Sequence, residues 1–175
     1  MEAGLSALVS GGVGAVRVEV LAAGLGVTKG SFYGYFDGRP ALLAELLDEW
    51  ERRCTRQIIA TVEAEGGDGA DKLRRVGRLT FADDVFQIDL AVRAWARHDP
   101  AVAERLRGID NERMEFLRRT FATFISDPDE IEARATLMFA LAIGRHFIVV
   151  DHPGRTTREA IGLAGEFVLR PTRVP

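Results

Sequence analysis

Residues 16–36 read Val-Arg-Val-Glu-Val-Leu-Ala-Ala-Gly-Leu-Gly-Val-Thr-Lys-Gly-Ser-Phe-Tyr-Gly-Tyr-Phe. The spacing predicts two short helices joined by a turn. Val18, Leu21, Ala22 and Leu25 recur at three and four and form the inner stripe of the first helix. Gly26-Val27 supplies the turn, Thr28 is an N-cap, and Phe32 and Phe36 anchor the inner face of the second helix. What remains points outward. Lys29 and Tyr33 share one outer strip, and Ser31 and Tyr35 share another. A cation, a hydroxyl and two phenols displayed by a helix of barely two turns suit a DNA major groove, where the free amides at the helix start can hold a phosphate.

Outward from this segment the whole chain reads as helix, because apolar residues recur at three and four and almost never alternate. Nine glycines fall in the first forty residues, which marks that region as a small unit of short helices and tight turns. A long helix follows from about Arg39 to Glu65, stopped by Gly66-Gly67-Asp68-Gly69. Asp68 with Asp71 opens the next helix, a further one lies between Asp83 and Arg97, and Asp99-Pro100 opens one running to about Ile125. Asp127-Pro128-Asp129-Glu130 and Thr156-Thr157-Arg158-Glu159 are capping boxes, announcing helices of about 129–150 and 157–169. The expected fold is all-α with about nine helices. An N-terminal helix-turn-helix domain spans 1–38, and helix 39–65 links it to a bundle within 39–175.

The 175 residues are 47% hydrophobic, enough to build a core, and carry a formal net charge of −3. There is no overall basic field, so any nucleic-acid reading rests on the local motif. The single cysteine, Cys54, cannot form an internal disulfide and is expected to be a buried thiol. Nothing at the N-terminus has the layout of a signal peptide, and the apolar stretch Leu137–Ile143 is far shorter than the roughly 20 residues of a membrane span. A cytoplasmic protein without membrane passage is expected.

Enzymatic signatures are missing. The chain lacks His-Glu-x-x-His, paired Glu-x-x-His motifs and a nucleophile elbow, and His98, His146 and His152 are scattered. Gly12-Val13-Gly14 has Arg17 where a dinucleotide loop needs its third glycine. No catalytic residue, metal or cofactor is therefore expected.

Gly-Val-Thr-Lys-Gly-Ser-Phe-Tyr-Gly-Tyr-Phe (26–36), followed by Asp-Gly-Arg-Pro-Ala-Leu-Leu (37–43), resembles the recognition helix and following helix start of the TetR family of regulators. The resemblance covers roughly residues 3–47, with Ala3 to Val13 as the first helix. It implies a homodimer that reads a palindromic operator in double-stranded DNA and is released when a small-molecule effector enters the C-terminal bundle. By position, Thr28, Lys29, Ser31, Tyr33 and Tyr35 fall where family members touch DNA, with Lys29 and Tyr33 toward phosphates and Ser31 or Tyr35 nearer base edges. Arg39 falls on a site that is usually basic and phosphate-facing.

The chain departs from the family pattern in three ways. Glu19 stands near the backbone, repelling phosphate unless Arg17 neutralises it. The chain begins almost at the first helix, so the basic arm common in the family is expected to be absent or to have been lost through a late start site. Residues 1–39 hold Arg17, Lys29 and Arg39 against Glu2, Glu19 and Asp37, a local net of zero. Weak or salt-sensitive DNA binding follows. The competing reading is a regulator-like bundle that has lost strong DNA binding and serves as a ligand-binding module.

In the bundle, helix 129–150 is apolar nearly all round, and the last helix adds small residues among large ones. Leu137, Leu141, Ile148, Ile161, Ala164, Gly165, Phe167 and Val168 are the expected dimer interface. Phe81, Phe86, Trp95, Phe116, Phe121 and Met138, with Arg93, Arg113 and His146, could line an effector pocket or simply form core. From that set Phe86, Arg93, Trp95, Arg113, Phe116, Met138 and His146 are the candidate ligand residues. Asp89, Arg93 and Arg97, spaced by four, are expected to form a solvated ion-pair face.

Overall fold

The computed structural model describes residues 1–80 and 83–170, so Phe81 lies outside the described residues. Along the chain run α1 (Glu2–Ala15), α2 (Val18–Gly24), α3 (Lys29–Tyr33) and α4 (Gly38–Glu51). A π-helical turn (Arg52–Arg56) carries α4 into α5 (Gln57–Glu65). Then come α6 (Gly69–Thr80), α7 (Asp83–Ala96), α8 (Pro100–Phe121), α9 (Pro128–Gly144) and α10 (Thr157–Leu169). Among the described residues there is no strand, and the fold is all-α as expected. No helix among them is long and apolar enough to cross a membrane.

Helix starts follow the side chains that satisfy first-turn amides. Asp68 accepts from the Asp71 amide (2.8 Å) before α6, and Asp99 accepts from those of Ala101 (3.0 Å) and Val102 (3.3 Å) at α8. Asp127 caps α9 through the Asp129 amide (2.9 Å), while Glu130 extends to Arg134 (2.6 Å). At α10 the reciprocal capping box is complete: Thr156 Oγ1 accepts from the Glu159 amide, and the Glu159 carboxylate accepts from that of Thr156.

Two helix limits differ from expectation. α1 is interrupted at Gly12, whose φ of 65° and ψ of −171° only glycine adopts comfortably. α9 stops at Gly144 rather than near residue 150. The amides of Phe147 and Ile148 both donate to the Gly144 carbonyl, closing a turn. The β-branched run Ile148-Val149-Val150 then continues without helix, since such side chains lose rotamer freedom in one.

The chain forms two compact units, Met1–Ile58 with Ala82–Asp110, and Ile59–Phe81 with Asn111–Pro175. The first is built on Leu5, Leu8, Val18, Leu21, Phe32, Leu46 and Trp50, joined by Val92, Trp95 and Ile109. The second is built on Val62, Leu73, Phe116, Leu117, Phe121, Ala135 and Leu169. The π turn faces Cys54 and Thr55 inward, and the Cys54 thiol donates to the Val85 carbonyl (3.3 Å).

The expected solvated face on α7 is corrected. Asp89 is only 4% exposed. Its carboxylate accepts from the Trp50 indole Nε1 (2.9 Å) and Arg93 Nε (2.8 Å), and Arg93 forks onto Asp110 (2.8 and 2.7 Å). A tryptophan placed in the core needs an acceptor for its N–H, and the buried carboxylate that supplies one needs a cation. Burial pushes the Arg93 pKa down, but bonding to Asp110 and the charges of both aspartates leave it above the ordinary value. Arg97 alone of the three is exposed.

Candidate nucleic-acid interface

The candidate interface is built from the apolar side of α2 and α3 outward. Val18, Leu21, Ala22 and Phe32 are buried, and the Phe36 ring packs on Phe32 with centroids 5.0 Å apart. Leu25, expected on this stripe, is exposed instead, at the C-cap of α2. Gly26, at φ 67°, turns the chain. Thr28 then caps α3, its Oγ1 accepting from the Ser31 amide at 3.1 Å.

With both phenylalanines turned inward, the remaining side chains of α3 and its C-terminal turn face solvent. Lys29 and Ser31 are exposed, Tyr33 is 53% exposed and Tyr35 85%. Arg17, the residue before α2, is also exposed. These residues form one polar surface carrying ammonium, guanidinium, hydroxyl and phenol groups.

Two charge contacts on this surface escaped the sequence reading. Lys29 Nζ lies 3.2 Å from the Glu19 carboxylate, so Glu19 has Lys29 as its ion-pair partner. Its own backbone N–H, and then Lys29, hold the Glu19 carboxyl below the usual carboxylate range. Arg39 reaches back from α4: its Nε donates to the Val16 carbonyl (2.7 Å) and its Nη2 to that of Val13 (2.6 Å). That clamp secures the connection between the glycine-broken α1 and α2. No periodicity signals either contact, since both join residues ten or more positions apart.

The candidate ligand residues divide between the units. Phe86 and Trp95 are buried in the first, where Trp95 Nε1 donates to Asp99 (3.3 Å) and Arg93 is committed to its two aspartates. In the second, Phe116 is core, Met138 packs against that core, Arg113 is half-buried, and His146 accepts from the neighbouring Arg145 Nε.

In the second unit α9 and α10 lie against each other. Leu137, Ile148 and Phe167 are exposed there, and Leu141, Ile161, Ala164, Gly165 and Val168 are half-buried. Phe147, Val149, Val150 and Leu163 extend this apolar exposure, Val149 to 99%.

A capped short helix over a buried Phe32 and a partly buried Phe36, following α2 across a glycine turn, defines a helix-turn-helix unit in an all-helical chain. Residues 1–46 match the family described as "Bacterial regulatory proteins, tetR family". The fold is similar to the crystal structure of a protein from Rhodococcus sp. described as a TetR-family transcriptional regulator. The TM-score is 0.65 at 22% identity, covering 95% of this chain and 93% of the other. No curated protein matches the chain. Over residues 1–46 the chain is thus similar to the N-terminal domain of the TetR family.

Proposed function

We propose that the protein is a cytoplasmic, non-enzymatic repressor that binds a palindromic operator as a homodimer and is released by a small-molecule effector. Residues 1–38 read the DNA, and residues 39–175 dimerise and take the effector. The observation that carries this reading is the outer face of α3 and its C-terminal turn, where Lys29, Ser31, Tyr33 and Tyr35 stay in solvent over a buried Phe32. Lys29, Tyr33 and Arg17 are the phosphate contacts, Ser31 and Tyr35 reach base edges, and Thr28 sets the helix start. Arg39 assists by holding α2 in place. The exposed side chains Leu137, Phe167 and Ile148 favour a second copy as the cover for α9 and α10, since a two-fold interface presents the same patch twice. Two copies would place two readers on the two halves of an operator.

The test is titration of the protein into the DNA upstream of its own gene, at two salt concentrations, beside Lys29→Ala/Tyr33→Ala and an unrelated fragment. Saturable binding to the cognate fragment that weakens with salt and collapses in the variant supports the reader. Equal indifference of both proteins to the cognate fragment overturns it and leaves a ligand-binding module.

A further inference from the structure

We propose that Glu19 is a built-in competitor for the phosphate that Lys29 takes, so that the reader is restrained by an ion pair on its own DNA-facing surface. This rests on the DNA-reading function proposed above. Glu19 lies in the first turn of α2 and Lys29 opens α3. Their 3.2 Å pair joins the two helices of the reader from the outside, with side chains 57% and 59% exposed. An incoming phosphate can reach the ammonium without any helix moving. The Arg93–Asp89 pair, closed inside its unit, offers no such exchange.

The charge inventory makes this one contact matter. Of the three cations in residues 1–39, Arg39 has two of its guanidinium nitrogens committed to the Val13 and Val16 carbonyls. Lys29 is held by Glu19, and Arg17 completes the set. Of the three anions, Glu2 is drawn to Arg53 and Asp37 stands at the N-cap of α4, while Glu19 is the one whose carboxylate pairs with Lys29 of the recognition helix. When Lys29 turns to a phosphate, the Glu19 carboxylate loses its partner and faces a second anion. The ammonium is a compact point charge that both oxygens seek, so DNA must displace the carboxylate before gaining the contact. An exposed ion pair is weak, so displacement lowers affinity without preventing binding.

The test uses the full chain as wild type, Glu19→Gln, Lys29→Ala and the double variant. Glutamine keeps the length and an acceptor oxygen but removes the charge. Glu19→Gln is expected to tighten binding to the cognate fragment about 3–10-fold at low salt and to steepen the salt dependence by nearly one ion per protomer. In the Lys29→Ala background the same substitution is expected to gain less than about twofold, because no pair remains to be displaced. An equal gain in both backgrounds overturns the proposal, since Glu19 then acts only as a general negative charge. Weaker binding by Glu19→Gln also overturns it, showing that the pair pre-positions Lys29. Elution from immobilised heparin gives the same comparison without any operator. If Glu19→Gln is retained to higher salt only when Lys29 is present, the competition stands even where no operator is bound, and the DNA-reading function alone fails. Unchanged elution removes the competition whatever the operator result.

Discussion

Asp89 is the residue whose loss has the largest predicted structural consequence, because two donors converge on one buried carboxylate. Removing it by Asp89→Ala strands the Trp50 indole N–H in the core, which costs about 1–3 kcal/mol. Arg93 loses one charge-assisted bond, about 1.5–3 kcal/mol, while its fork to Asp110 persists. The sum, about 2.5–6 kcal/mol, is a large part of the roughly 5–15 kcal/mol that stabilises an ordinary domain. Asp89→Asn separates the two terms. Its Oδ1 still accepts from Trp50, while its amide group meets the Arg93 Nε as donor against donor, so it should cost about 1–3 kcal/mol less than Asp89→Ala. The assay is urea unfolding followed by far-ultraviolet circular dichroism and tryptophan fluorescence, at one fixed protein concentration because association adds to stability. With the slope unchanged, a cost below about 1 kcal/mol for Asp89→Ala would falsify the claim that this carboxylate holds α4 to α7. Equal costs for the two variants would show that the Trp50 bond contributes nothing.

Three further expectations follow from single contacts. Bonding from Arg52, joined by Arg53 and opposed by burial, lowers the Glu49 pKa to about 2 from an ordinary 4.5. The unfolded chain therefore takes up the proton first, so this contribution is complete above about pH 4.5 and lost as the pH falls through about 2. Acid titration of Glu49→Gln should show a shallower loss of stability across that window, and an unchanged profile would remove Glu49 from the acid response. Leu137→Asp/Phe167→Asp, which charges two exposed apolar positions on α9 and α10, should weaken self-association by roughly two orders of magnitude or more in sedimentation equilibrium with helicity retained; a dimer as tight as wild type would place the interface elsewhere. Thr28→Ala removes the cap of α3 and should weaken cognate DNA binding about fivefold, the equivalent of a lost cap of about 1 kcal/mol, with Thr28→Ser restoring it. Identical binding by all three proteins would mean that α3 keeps its shape without the cap.

Much of the fold was legible because helix starts are set by local chemistry. Thr28, Asp68, Asp99, Asp127 and Thr156 all cap within three residues of themselves, and a cap needs nothing from elsewhere in the chain. Helix ends were harder. α9 looked apolar through residue 150, but a turn at Gly144 and three consecutive β-branched residues end it earlier, and apolar periodicity cannot separate an apolar helix from an apolar loop. The π turn at Arg52–Arg56 left no signature at all, since one extra residue in a helical turn alters packing without altering composition. Leu25 shows the same limit on a smaller scale: its spacing fits the stripe, but the helix ends one residue before it.

For the site, the outward direction of Lys29, Ser31, Tyr33 and Tyr35 could be read because Phe32 and Phe36 claim the inner face of a short helix. The occupation of the charges could not. Spacing by four made Asp89 and Arg93 look like a solvated pair, and only Trp50, arriving from another helix 39 positions away, turns that pair into part of the core. Arg39 stands where a phosphate contact is expected, yet its first partners are two carbonyls of its own chain. Lys29 lies on the strip proposed to face DNA and is already engaged by Glu19. A neutral reader can arise from too few cations or from cations already in use, and the two have different consequences. Too few would leave affinity low whatever is substituted nearby. Cations already in use predict that removing one exposed carboxylate releases binding strength present in the chain, and under the proposed DNA-reading function Glu19 is then the residue through which affinity is adjusted without touching α3.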